Sequence, residues 1–171
     1  IKYDLDWLGL TWDHEEQQSK RLDRYVSAAE ELKKNEKLYE CFESPTDLDL
    51  KRKKLLNMGR PPVYDRSALE LTNEKKMMLR TGNNPHWRFL LNDNRVNWVD
   101  KILGPISIDS ASVSDPVLIR ADGQFLYTLA SVVDDVDMGI TDVVRGSDHV
   151  TNTATQIQIT EALSKSAPCY S

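Results

Sequence analysis

The sequence has few cysteines and no long apolar run. Its two cysteines, Cys41 and Cys169, lie far apart in unlike surroundings, so they do not form the spaced framework of a disulfide-rich domain. No apolar stretch approaches the roughly 18 residues of a membrane span, and no secretory signal opens the chain. Repeats and low-complexity tracts are also absent. We therefore expect a cytoplasmic protein that has no membrane partner.

The overall amino-acid composition is typical of a globular protein. Hydrophobic residues make up 40% of the chain and charged residues 29%, and 171 residues suffice for one ordinary core or two small lobes. Charge is unevenly distributed along the chain. Residues 51–101 hold 12 basic and 5 acidic side chains, whereas the segments on either side are acidic. Because phosphate contacts depend on the local field, the basic middle is either an RNA-binding surface or a solvated lysine face.

Residues 115–149 contain the pattern that is most informative about function. Residues 117–120 are a short apolar run typical of a strand, and Asp122-Gly123 predicts a tight turn. Residues 127–136 have helical spacing, and residues 140–144 predict a second buried strand. Together they predict an α/β fold with parallel strands.

Arg145 directly follows the second of these strands. Ligands bind outside the carboxyl ends of strands in open parallel sheets, and a guanidinium suits a small carboxylate because its donors form a planar fork. The alternative is that Arg145 ends the strand and makes a surface ion pair. Sequence spacing alone leaves both interpretations open.

The other predicted elements follow from periodicity and from turn residues. Helices are predicted at residues 18–37, 47–57, 68–80 and 151–164, and the tail of another at residues 1–5. Strands are predicted at residues 7–12, 38–42, 86–91 and 96–98, with a hairpin turn at 92–94. Residues 104–114 are interpreted as a linker and residues 168–171 as a tail.

Several blocks of this sequence, in order, closely resemble the catalytic core of bacterial glutamyl-tRNA synthetases of class I. They are residues 6–13 (DWLGLTWD), 59–66 (GRPPVYDR), 85–89 (PHWRF), 126–135 (LYTLASVVDD), 138–141 (MGIT) and 144–149 (VRGSDH). The likeness covers nearly the whole chain. It implies a partial Rossmann-like core, formed by residues 1–37 and 113–171, with an α+β domain inserted at 38–112 that cradles the acceptor end of tRNA.

The resemblance also implies a reaction and a set of binding residues. In the family, glutamate attacks the α-phosphate of ATP, with Mg²⁺, to give glutamyl-adenylate, and the acceptor-end ribose of tRNA then takes the acyl group. By matched position, Tyr127, Ser131 and Arg145 are expected to bind glutamate, and Asp148 and His149 to lie near adenine and ribose. Contacts to the tRNA acceptor end are expected from six basic side chains: Lys51, Arg52, Lys54, Arg60, Arg66 and Arg88.

Some members of the family hold zinc with a Cys-x-Cys pair followed later by Tyr-x3-Cys. The matching positions here are Cys41, Glu43, Tyr64 and Ala68. A structural zinc site needs four good ligands, so we expect zinc to be absent. We interpret His86 as structural because no histidine or cysteine lies at metal spacing from it along the chain.

The family has two ATP-binding motifs, one of His-Ile-Gly-His type and one of Lys-Met-Ser-Lys-Ser type. Neither occurs in these residues. We therefore expect this polypeptide to be an internal fragment of a monomeric glutamate–tRNA ligase, with no catalytic residue of its own and no activity alone. Two alternatives remain at this stage. One is an RNA-binding module without catalysis, and the other is an enzyme that glutamylates a modified tRNA base.

Overall fold

The computed structural model describes all residues, 1–171, and contains six α-helices and seven strands. The helices are α1 (Lys2–Trp7), α2 (Leu22–Lys34), α3 (Pro45–Asn57), α4 (Asn73–Arg80), α5 (Tyr127–Asp137) and α6 (Val150–Ala162). The strands are β1 (Leu38–Cys41), β2 (His86–Phe89), β3 (Arg95–Asp100), β4 (Gly104–Asp109), β5 (Val117–Ile119), β6 (Asp142–Val143) and β7 (Cys169–Tyr170). Short 3₁₀ turns occupy Gln18–Lys20, Ser67–Glu70, Ser110–Ser112 and Ser147–His149. No helix is both long enough and apolar enough to cross a membrane.

The strands form three small sheets. Strands β1, β2 and β5 make an antiparallel sheet with β2 in the middle, and β3 and β4 make an antiparallel hairpin. Strands β6 and β7 pair in parallel, and they are the only parallel pair. Arg145 lies two residues beyond the carboxyl end of β6.

The main core lies between the three-stranded sheet and helices α2, α5 and α6. Leu32, Phe89, Leu118, Leu129 and Ile159 are its most completely buried apolar members. Helix α2 contributes because its apolar residues recur every three or four positions, which places them on one face. This core joins residues from all three sequence segments predicted above, so the boundaries near residues 37 and 112 do not separate independent cores.

A smaller cluster attaches the β3–β4 hairpin to the same helix. Val96 of β3 packs with Ala154 and Ile157 of α6 and with Tyr170 of β7. Helix α6 is therefore buried on two sides, which explains why polar residues such as Thr153 and Gln156 are also buried along it.

Four predicted elements are wrong. Residues 7–12 form no strand, because their apolar side chains are exposed and no strand lies beside them for pairing. Residues 92–94 do not form the turn of a hairpin, since β2 pairs with β1 and β5 while β3 pairs with β4. Residues 104–109, predicted as linker, form β4, in which Ile106 and Ile108 alternate with polar residues. Residues 169–170, predicted as tail, form β7.

The expected parallel sheet is also much smaller than predicted. The strand predicted at 140–144 shrinks to the two residues of β6, and Ile140 and Val144 are exposed. Strand β5 belongs to another sheet and runs antiparallel to β2. The apolar residues at 140–144 predicted a buried strand. In the structure few other residues surround them, and the sequence does not show this.

Candidate functional site

The predicted substrate-binding residues lie where α5 packs against α6, and we use the name α5–α6 cleft for this region. Tyr127 and Ser131 stand on α5, one turn apart, because residues four positions apart share a helix face. Arg145 follows β6, and Asp148 and His149 lie on the 3₁₀ turn that leads into α6. The structure thus brings these five residues, which come from two stretches of sequence, 127–131 and 145–149, to one region.

Arg145 is held by side chains of α6. Its Nη1 donates to Gln156 Oε1 at 2.5 Å, its Nη2 donates to Thr153 Oγ1, and the guanidinium lies 4.7 Å from the ring centroid of Tyr170. No carboxylate lies within ion-pair distance of it. The alternative of a surface ion pair is therefore wrong, and the group is a half-buried cation without a counter-ion.

Gln156 connects Arg145 to Ser131. Its Nε2 donates to Ser131 Oγ at 2.8 Å while its Oε1 accepts from Arg145. Because the hydroxyl of Ser131 accepts this bond, its own proton can be donated elsewhere; its one other contact is a long 3.5 Å bond to the Thr128 carbonyl. The chain Arg145–Gln156–Ser131 fixes two of the predicted glutamate contacts relative to one another.

Tyr127 and His149 face each other at the outer end of the cleft. Their ring centroids are 6.4 Å apart at an interplanar angle of 65°, which is an edge-to-face arrangement. Asn152 Nδ2 lies 3.2 Å from His149 Nδ1, and Asp148 is strongly exposed. Tyr127 is also more than half exposed, so its hydroxyl can contact a ligand.

The inner end of the cleft carries one further acidic group. Burial raises the pKa of Asp135, the neighbouring Asp134 raises it further, and Arg145 partly opposes both effects. Burial also raises the pKa of Tyr170 to about 12, against the opposing influence of Arg145. Tyr170 is therefore a neutral phenol that supports the face of the guanidinium.

A buried polar network anchors α5 to α2. Asp134 accepts hydrogen bonds from Tyr25 Oη, from Arg21 Nε at 2.7 Å and from Gln18 Nε2 at 2.9 Å. Burial and the bond to Asp134 raise the pKa of Tyr25 to about 12, so the phenol remains a donor at neutral pH. Since Asp134 lies one turn beyond Ser131 on the same helix, this network sets the position of the cleft's α5 wall.

The six basic side chains predicted to contact tRNA fall into two groups. Arg52, Lys54 and Arg60 are exposed and line a cavity of about 520 Å³ beside α3. The other three make contacts within the protein. Arg66 pairs with the buried Asp115, Arg88 donates to the Asp115 carbonyl, and Lys51 contacts Glu43, Asp65 and Ser67.

A second group of reactive side chains lies at the end of the three-stranded sheet. One ligand atom from each of Cys41, Glu43 and His86 falls within 4.8 Å of the other two. No histidine or cysteine lies at metal spacing from His86 along the sequence, but the structure places Cys41 and Glu43 beside it; that His86 is structural stays a prediction. Burial raises the pKa of the Cys41 thiol to about 11 and, with the charge of Arg88, lowers that of His86.

Three residues of the cleft were not predicted from the sequence: Thr153, Gln156 and Tyr170. Thr153 and Gln156 are three positions apart on α6, so their shared helix face was a usable signal. Tyr170 gave no such signal, since residues 168–171 lack any periodicity.

Comparison with known proteins shows which family the chain resembles. The sequence model described as tRNA synthetases class I (E and Q), catalytic domain, matches residues 1–171. The chain is 67% identical over 170 residues to glutamate–tRNA ligase 2 of Cereibacter sphaeroides, and these residues are 99% of this chain but 38% of that protein. It is also 67% identical over 171 residues to glutamate–tRNA ligase 1 of Ruegeria pomeroyi, of which it covers 39%.

Solved structures agree in fold. A glutamate tRNA ligase from Elizabethkingia meningosepticum, in complex with its amino acid, superposes with a TM-score of 0.86 at 27% identity. The glutamate–tRNA synthetase of Elizabethkingia anophelis gives 0.87 at 28%. Each match covers 98% of this chain and 37% of the other chain, so this chain spans well under half the length of its relatives.

Proposed function

This chain belongs to the class I tRNA synthetases of the E and Q type, and from that membership we propose that it supplies the glutamate-binding part of a glutamate–tRNA ligase. The observation that best supports this proposal is the chain of hydrogen bonds from Arg145 through Gln156 to Ser131. It holds, at fixed separation in one cleft, a cation without a counter-ion and a hydroxyl whose own proton makes only a long bond to the Thr128 carbonyl.

Each side chain of the cleft has a distinct part in the proposed binding of glutamate. Arg145 binds a carboxylate of the substrate, since a half-buried guanidinium without an acidic partner gains most from an incoming anion. Ser131 and Tyr127 donate or accept hydrogen bonds to the rest of the amino acid. Such contacts accelerate adenylate formation by placement of the substrate.

ATP, with Mg²⁺, and tRNA are the proposed further substrates. Asp148 and His149 border the nucleotide, next to the glutamate contacts. Arg52, Lys54 and Arg60 contact the phosphates of the tRNA acceptor end, because they are the exposed members of the basic set. Residues 38–112 are the proposed acceptor-binding insertion between the two parts of a Rossmann-like core.

A chimaeric ligase tests the proposal. This chain replaces the matching 38% of the Cereibacter sphaeroides glutamate–tRNA ligase 2, and glutamate-dependent ATP–pyrophosphate exchange is measured. We expect the chimaera to be active with glutamate and the isolated 171 residues to be inactive. Arg145→Met should raise the KM for glutamate strongly, whereas its KM for ATP should change little.

Arg95→Met is the matched control, since Arg95 is an exposed arginine of the β3–β4 hairpin whose side chain contacts Asp109 and Ser107 and no residue of the cleft. A folded chimaera that binds tRNA but shows no glutamate-dependent exchange would contradict the proposal. It would instead favour an RNA-binding module.

A further inference from the structure

Arg145 lies at the end of a very short sheet. Strands β6 and β7 pair over only two residues each, and the Arg145 N–H extends this pairing by one bond, to the Ser171 carbonyl at 3.0 Å. An isolated pair of strands is marginally stable at best, even when it is longer than this one. The position of Arg145 therefore depends on the elements that contact the β6–β7 pair.

The tip of the β3–β4 hairpin contacts both strands of this pair. Lys101, the first residue after β3, donates from its backbone N–H to the Tyr170 carbonyl of β7 at 2.9 Å. Its side-chain ammonium forms an ion pair with Asp142 of β6. The hydrogen bond from Lys101 lowers the pKa of Asp142, so this carboxylate is charged at neutral pH. One residue of the hairpin thus bridges the two strands.

The shape of the hairpin tip is fixed by a buried carboxylate. Asp100 is almost fully buried, and its Oδ1 accepts hydrogen bonds from the N–H groups of Ile102 and Leu103 at 2.9 and 2.8 Å. Gly104, with φ of +79°, then turns the chain into β4 through a backbone conformation that glycine adopts without steric cost. Lys101 is therefore presented by an ordered turn.

The two residues that Lys101 contacts both support Arg145. The ring of Tyr170 lies under the guanidinium, with its centroid at 4.7 Å, and Asp142 precedes Arg145 by three positions in the chain. The hairpin tip and Arg145 also line one small cavity of about 180 Å³, with Ile102 and Leu103 on the hairpin side. A shift of the tip would thus be transmitted to the backbone and to the ring that hold Arg145.

We propose that Lys101 is a positioning residue for glutamate binding, which acts on Arg145 through Asp142 and Tyr170. It lies outside the α5–α6 cleft, in the hairpin of the proposed acceptor-binding insertion, so a residue of that segment helps to form the amino-acid site. This inference rests on the proposed function, because it assigns the effect of Lys101 to the affinity for glutamate.

Lys101→Met and Asp142→Asn in the chimaeric ligase test the inference. Each should raise the KM for glutamate about threefold, a modest factor because both side chains are about half exposed, while kcat and the KM for ATP change less than about twofold. The two variants change the net charge in opposite directions. Long-range attraction of glutamate would make its KM fall in Asp142→Asn, so a rise in both variants is the mark of positioning. Lys53→Met, which breaks the exposed ion pair with Asp49, is the control and should change neither KM.

Hydrogen exchange of the 171-residue chain measures the same effect without ligase activity. The N–H groups of Arg145 and Ser171, which donate to the Ser171 and Val143 carbonyls, should exchange about threefold faster in both variants, whereas those of α2 should not change. An inactive chimaera would contradict the proposed function, and the exchange rates alone would then decide the role of Lys101. Unchanged exchange at Arg145 and Ser171, or an active chimaera whose KM for glutamate does not rise in both variants, would overturn the inference.

Discussion

The side-chain oxygen of Gln156 lies 2.5 Å from Nη1 of Arg145, and this bond orients the cation of the α5–α6 cleft. Gln156 is itself almost fully buried, so it cannot exchange this bond for one to water. Its amide nitrogen holds Ser131 on the opposite wall. One buried amide therefore determines the separation of two groups that would contact the same substrate.

The first prediction follows from this bridge, in the chimaeric ligase described above. Gln156→Met removes both hydrogen bonds, and we expect the KM for glutamate to rise about tenfold, equivalent to ~1.4 kcal/mol, with a smaller change in kcat. Gln156→Glu places a carboxylate beside Arg145 that competes with the substrate. The KM of this variant for glutamate should therefore rise further than that of Gln156→Met. Gln17→Met, at an exposed position, is the control. Equal KM values for all three variants would show that Gln156 does not position Arg145.

The residues of the cleft that could be predicted from the sequence are those near recognisable local patterns. Tyr127 and Ser131 share a helix face, and Arg145 follows an apolar run that ends in a glycine-containing turn. Gln156 was missed because α6 is buried on two sides, so a buried glutamine there breaks no visible amphipathic pattern. The neighbours of His86 could not be predicted for a different reason, since the position of Cys41 opposite it depends on strand register, which the sequence does not specify.

The fold, too, could be predicted from the sequence only where its signals are local. Helices α3, α5 and α6 were predicted to within two residues of their bounds because the residues that start and end a helix are local signals; Ser44 and Asp47, for example, form a capping box at the start of α3. The pairing of β2 with β1 and β5 depends on contacts more than 25 residues apart, such as that of Arg88 with Val117. Periodicity cannot show contacts of this kind.

The second prediction concerns the stability of the three-stranded sheet. Asp115 is buried and accepts hydrogen bonds from Tyr39 Oη at 2.6 Å and from Arg66 Nε at 2.9 Å, whereas Asp93 meets the same Arg66 from an exposed position. Asp115→Ala should lower the free energy of unfolding by about 3–5 kcal/mol, because it leaves the buried Tyr39 hydroxyl and the Leu91 N–H without an acceptor and leaves Arg66 with only its exposed partner Asp93.

Asp93→Ala is the matched control, and its effect should be within about 1 kcal/mol, since exposed ion pairs contribute little. Urea unfolding followed by tryptophan fluorescence measures both variants. Similar losses for the two variants would mean that burial does not distinguish the two contacts of Arg66.

The third prediction distinguishes the two thiols by reactivity. Alkylation requires the thiolate, and Cys41 is fully buried with its pKa raised to about 11, whereas Cys169 is exposed. We expect iodoacetamide at neutral pH to modify Cys169 in the metal-free native chain and to modify both thiols in urea, as measured by peptide mass spectrometry. Rapid native modification of Cys41 would show that β1 opens readily.

The last prediction concerns pH and the stability of the cleft. Burial, together with the charge of Asp134, raises the pKa of Asp135 above its value in the unfolded chain, about 4. The folded state therefore binds this proton more tightly, so the contribution of Asp135 to stability falls as the pH rises from about 4 through the folded pKa. Asp135→Asn should consequently be more stable than the wild type at neutral pH. This difference should shrink as the pH falls toward about 4, where both side chains are neutral.

Thermal unfolding across this pH range measures the effect, with Asp13→Asn as a control at an exposed position that makes no ion pair. The control should show no pH-dependent difference from the wild type. If Asp135→Asn were instead less stable than the wild type at neutral pH, the attraction between Asp135 and Arg145 would outweigh the cost of burying the carboxylate. Arg145 would then already have an acidic partner inside the protein, and its availability to a substrate carboxylate would be correspondingly reduced.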